Sequence, residues 1–158
     1  MKYHTPFMQS IVENAGVPAV KTLAAQPGCQ GIWRIVVYYA RGQARASVAT
    51  LHQARGSAAA RLEVVYAGFR DHRPLCYPIP AERVAALLLA GQQAGFDTLP
   101  DGREPAGLFR TLWLVERAAG SFYRAVMLSP HEPVMPYSRL INAIDACIPE
   151  AIREMPLP

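Results

Sequence analysis

The sequence predicts an α+β domain: an antiparallel sheet of about five strands with helices packed mainly on one face, in the order α-β-β-β-α-β-β-α. Three observations carry that expectation. Residues 32–39, Ile-Trp-Arg-Ile-Val-Val-Tyr-Tyr, are β-branched or aromatic almost throughout, which suits a pleated, packed surface. Val84, Leu87, Leu88 and Gly91 fall at i, i+3, i+4 and i+7, one stripe of a helix. Segments 108–117 and 122–129 are separated only by Ala118-Ala119-Gly120-Ser121, a hairpin connection that makes its strands antiparallel. A chain of 158 residues suits one domain, 1–158, and is long enough to bury a substantial core.

The elements follow in order. Thr5-Pro6 ahead of Phe7, Met8, Ile11 and Val12 reads as the capped start of an apolar-striped helix, with Gly16 as its C-terminal stop. Residues 17–25 allow a second short helical turn before Pro27-Gly28. In the strand 32–39, Trp33, Ile35, Val37 and Tyr39 share one face and Arg34, Val36 and Tyr38 the other. Arg41-Gly42-Gln43 is a turn, 46–51 a weaker returning strand, and 61–69 a third. Residues 75–79 are confined to an edge by Pro78 and Pro80. Pro80-Ala81-Glu82 opens the helix 81–94, which Gly95 closes. The last helix, 137–154, buries Leu140, Ile141, Ile144, Ile148 and Ile152. Pro149 must kink it or start a new helix, because proline has no backbone N–H.

Composition narrows the function classes. With 51% apolar and 18% charged residues the chain is globular and not disordered. No apolar run reaches the ~18–20 residues of a membrane span, and residues 1–6 lack the apolar core of a secretory signal. Cys29, Cys76 and Cys147 share no metal-ligand spacing, so reduced thiols in the cytoplasm are expected. Of these, Cys29, between Gly28 and Gln30-Gly31, is the one expected to be most exposed.

The net charge of +4 is carried by 14 arginines against two lysines, a bias that codons of a GC-rich bacterial genome explain. It is uneven: up to residue 60, six basic residues face a single acid, Glu13. Arg34, Arg41, Arg45 and Arg55, with Tyr38 among them, are therefore the candidate binding residues, and a nucleic acid is the partner they would suit. Arg41, Arg45 and Arg55 flank a turn, however, where charge serves solubility, and Tyr39 shares the packed face of Trp33.

The sequence contains no HExxH, GxSxG, Walker or dinucleotide fingerprint, so no cofactor and no metal is expected. An enzyme would need an unrecognised pocket, for which Asp71, His72 and His131 are the candidates, Asp71 orienting His72 as a base. Catalysis is the lesser expectation.

The α-β-β-β-α-β-β-α element order resembles that of the class I chaperones of type III secretion systems, small dimers that hold an unfolded effector segment. The resemblance is one of topology over the whole chain. Together with apolar residues on both faces of 32–39 and 112–115, it implies a protein-binding module, whether adaptor, secretion chaperone or immunity-type protein. Such a module would use an exposed sheet face to hold a protein partner or a second copy of itself.

Overall fold

The computed structural model describes residues 4–68, 73–100, 111–131 and 134–157. Two helices come first, α1 (His4–Asn14) and α2 (Val20–Ala24). Four strands follow, β1 (Cys29–Tyr38), β2 (Ser47–Ala54), β3 (Ala60–Tyr66) and β4 (Leu75–Ile79). Helix α3 (Ala81–Gln93) leads to the hairpin β5 (Leu112–Ala119) and β6 (Phe122–Leu128), and α4 (Tyr137–Cys147) closes the chain.

All six strands join one antiparallel sheet in the order β4-β3-β2-β1-β5-β6. The expected α+β class is thus observed, with one strand more than the five anticipated. The sixth is β4, which pairs with β3 over its whole length; Pro78 stands opposite Arg61 and is tolerated because β4 is an edge. The β5–β6 hairpin turns on Gly120-Ser121, and Gly120 takes a φ of 57° that an ordinary side chain would resist.

Alternation along β1 divides the interior in two. Trp33, Ile35 and Val37 pack with Leu51, Leu62, Val64, Trp113 and Val115, and this face is covered by Val84 and Leu87 of α3 and by Leu140 and Ile144 of α4. Gly91 lies directly over Trp33: a Cβ there would sit 3.2 Å from the indole ring. The stripe position that glycine occupies is a seat for a large neighbour.

The opposite face is covered as well. Met8 and Val12 of α1 pack on Val36, Val48, Val65, Leu112, Leu114 and Met127. Val20, Leu23 and Ala24 of α2 pack on Ile32 and Ala118. The two longer predicted helices share one face, as expected, while the two N-terminal helices line the other. The apolar surface on the second face of residues 32–39 is therefore met within the chain itself.

The predicted last helix is split. Helix α4 ends at Cys147, Ile148 leaves helical geometry with φ −136°, and Pro149 opens a 3-10 turn, Pro149–Ile152. The C-terminal segment is tied to the sheet by Tyr66 and Tyr39, whose hydroxyls donate to the carbonyls of Arg153 (2.9 Å) and Ile152 (3.2 Å). Burial pushes the Tyr39 phenol up to about 12, helped by the charge of Glu154 and by Tyr66.

Candidate functional site

The sheet face beneath α1 and α2 is apolar at both ends and polar in the middle. One apolar cluster lies under α1 and a second under α2. Between them runs a single row of register partners: Glu63 on β3, Thr50 on β2, Arg34 on β1 and Glu116 on β5. Arg34 is 1% exposed, Thr50 2% and Glu116 4%. Charged side chains are almost never that deeply buried unless they are paired.

The two charges are direct cross-strand neighbours, yet each bonds to a different residue and no ion pair joins them. Arg34 Nε donates to Thr50 Oγ1 at 3.1 Å, toward β2. Glu116 Oε1 accepts a hydrogen bond from the Tyr123 hydroxyl at 2.6 Å, toward β6. Arg34 Nη2 is fully buried and has no hydrogen-bond partner among the described residues. Burial lowers the Arg34 pKa from its ordinary value, and the charge of Glu116 opposes that shift. Tyr123 is raised first by burial and then by its bond to Glu116, so the phenol keeps its proton and stays a donor.

A cleft of about 310 Å³ opens at this point between α1, α2 and the sheet. Arg34, Glu116 and Tyr123 line its interior; Val12, Val17 and Val20 form apolar wall, and Gln9, Glu13 and Lys21 stand exposed around it. The Lys21 ammonium lies 4.5 Å from the Tyr123 ring centroid, a cation–π contact that closes one side. A volume of this order is at the lower end of what small-molecule sites use.

A second cleft, about 410 Å³, lies on the other side of α2, against the β2–β3 hairpin, with Cys29, His52 and Arg61 in its lining. His52 Nε2 is 3.3 Å from Glu63 Oε2, and Arg61 Nη1 is 2.9 Å from Glu63 Oε1. Burial lowers the His52 pKa, against the opposing pull of Glu63. The three cysteines are free thiols, and the most exposed of them is Cys76 on the edge strand, not Cys29, which is half-buried beside α2. Among the described residues no group of His, Cys, Asp and Glu is placed to hold a metal ion, and no helix is long and apolar enough to cross a membrane.

The candidate binding residues differ in burial. Arg34 is the buried centre of the polar row. Tyr38 lies at the end of β1 with its ring edge-on to Phe7 of α1, centroids 5.0 Å apart. Arg41 sits in a 3-10 turn, Ala40–Gly42, and its side chain lies outside the described residues. Arg45 is half-buried and donates from Nη1 to the Ala67 carbonyl at 3.2 Å. Arg55 is exposed at the tip of the β2–β3 hairpin. Arg34 is thus an interior residue, whereas Arg55 is at the surface. Of the candidate pocket residues, His131 is exposed, while Asp71 and His72 lie outside the described residues.

Sequence reasoning did not single out Glu116, Tyr123 or Lys21. The usable signal was a lone charge on an otherwise apolar strand face, present at Arg34 (Ile32, Val36) and again at Glu116 (Leu114, Ala118). That both occupy the same row depends on the β1–β5 register, which spans most of the chain. No known protein family, curated protein or solved structure matches this chain.

Proposed function

We propose that this chain is a binding domain of the cytoplasm, and that it binds in the cleft between α1, α2 and the sheet. The observation that carries the reading is Arg34 Nη2, a buried charged donor without a hydrogen-bond partner among the described residues, on a side chain that lines that cleft. An unsatisfied buried charged group costs several times what a made hydrogen bond contributes, so it persists where something else completes it. The rest of the site is held ready: Thr50 fixes one edge of the guanidinium, and Tyr123 fixes the carboxylate. Three free thiols suit a reducing compartment.

The test is a thermal-shift screen of small polar metabolites against the protein and an Arg34→Met variant. A ligand at a hundred times its Kd stabilises by about 2.7 kcal/mol, which is readily seen. The expected result is at least one stabilising compound whose effect is lost in Arg34→Met. If no compound stabilises and Arg34→Met is as stable as the parent, the cleft is structural and the reading falls.

A protein-binding role, the adaptor-like or chaperone-like reading of the sequence, is supported by a different feature. Both sheet faces are covered, but β4 and β6 are the edge strands, unpaired on their outer sides among the described residues, and an edge is a ready template for another strand. Leu75 on β4 is 44% exposed beside it. Sedimentation at micromolar and higher concentration reads out pairing with a second copy. A monomer throughout removes the homodimer.

A further inference from the structure

Resting on that assignment of the cleft, we propose that its ligand is a small zwitterion of the amino-acid class. Such a ligand places its carboxylate on Arg34 and its ammonium group on Glu116. The argument begins with charge. The two ionised groups that line the interior, Arg34 and Glu116, are opposite in sign and direct neighbours in register. A simple anion would satisfy Arg34 but be driven against the buried Glu116 carboxylate. A simple cation would meet Glu116 and be driven against the guanidinium. Either would leave one uncompensated charge in a poorly solvated space, the costliest outcome available there. A ligand carrying both charges completes both partners and adds no net charge.

Geometry supports the same class. Arg34 is drawn toward β2 by Thr50, and Glu116 toward β6 by Tyr123, so the space between the two heads is not closed by an ion pair. An ammonium group supplies several donors and suits the carboxylate; a carboxylate suits the guanidinium fork. Val12, Val17 and Val20 offer a short aliphatic group an apolar wall. About 310 Å³ admits a molecule of that size but not a folded peptide segment. The exposed rim is mixed in charge, Glu13 beside Lys21, and favours neither sign.

Four probes of similar size separate the alternatives: L-valine, isovalerate (carboxylate alone), isobutylamine (ammonium alone) and glycine betaine, a zwitterion with no N–H donor. Binding is followed on the unmodified protein by calorimetry and by the backbone amide shifts of Val20, Arg34 and Glu116. The expected result is saturable L-valine binding that moves these three amides, with the other probes weaker by roughly tenfold or more, the loss of one charged hydrogen bond. An Ala19→Trp variant, altered at an exposed rim position away from the charged row, should block binding while leaving the far-UV spectrum unchanged. Isovalerate binding as tightly as L-valine and moving the same amides would overturn the zwitterion while leaving the cleft a binding site. Shifts confined to other elements, or no binding of L-valine at all, would also overturn it.

Discussion

Arg83 of α3 clasps the end of α4 through both sides of its guanidinium: Nε donates to the Cys147 carbonyl at 2.7 Å and Nη2 meets Glu150 Oε2 at 2.5 Å. One side chain thereby satisfies a carbonyl of the last helical turn and anchors the 3-10 turn that Pro149 begins. Burial pushes Glu150 upward, but the Arg83 bond, its own backbone N–H and the charges of Arg83 and Arg153 outweigh it and hold the carboxyl below its ordinary pKa.

A pH dependence follows. A carboxyl with a depressed folded-state pKa contributes stability above its unfolded value, about 4.3, and loses it as pH falls through the folded one. Urea unfolding of the parent and Glu150→Gln should differ by a constant amount near neutrality, with the parent more stable. The gap should close below about pH 4. A gap that stayed constant into acid would show that the pair contributes nothing through ionisation.

Tyr123→Phe removes the donor to Glu116 and leaves a 4%-exposed carboxylate without that partner. The expected cost is about 1–3 kcal/mol in chemical unfolding, with Glu116→Gln in the same background recovering part of it. If Tyr123→Phe were neutral, the bond would not be holding the carboxylate.

Leu87 and Ile144, on α3 and α4, are 1% and 0% exposed in the same cluster. Truncating either to alanine should cost about 2–5 kcal/mol by lost burial plus a residual cavity. Unchanged melting midpoints for both would mean that this face is not the main core.

Gly91→Leu should destabilise by about 1–3 kcal/mol, because the new side chain must displace the Trp33 ring it faces. Gly91→Ala sets that crowding against a helix-propensity gain of about 1 kcal/mol and should fall near neutral. In a Trp113→Phe background, where Trp33 is the one tryptophan, fluorescence distinguishes displacement of the ring from simple loss of helix. A Gly91→Leu protein with parental stability and emission would mean the helix does not approach the indole.

Legibility from sequence followed the range of the interaction that decided each element. Helix α3 was readable to a residue, because its apolar stripe, Pro80 and Gly95 are local. The core strand β1 was plain in kind, though it runs from Cys29 to Tyr38 and so starts three residues before the expected 32, and Pro149 was correctly a break, acting as the start of a new turn. The second helical layer was harder to place. Apolar residues on both faces of β1 signalled a cover, but α1 and α2 are short, and nothing local says that they fold back over Ile32 and Val36. The candidate site was least legible. Arg34 was visible as an isolated charge in an apolar strand, but its neighbour Glu116 is fixed only by the register between distant strands, and the direction each head turns depends on Thr50 and Tyr123.

The position of β1 at the centre of the sheet bears on how the chain is born. Its first partner, β2, follows almost at once, and β3 and β4 extend the same side as a meander. The other edge of β1 is paired by β5 alone, which follows α3 in the chain. Until residues 112–119 leave the ribosome, this interior strand therefore has one side unpaired, and the charge that will stand opposite Arg34 does not yet exist. Nascent chains halted in that interval are the species in which a bare strand edge invites pairing with a neighbour. The β5–β6 hairpin is thus the step that converts an adhesive half-sheet into a finished one, and slow translation between the two halves would be felt as lost yield.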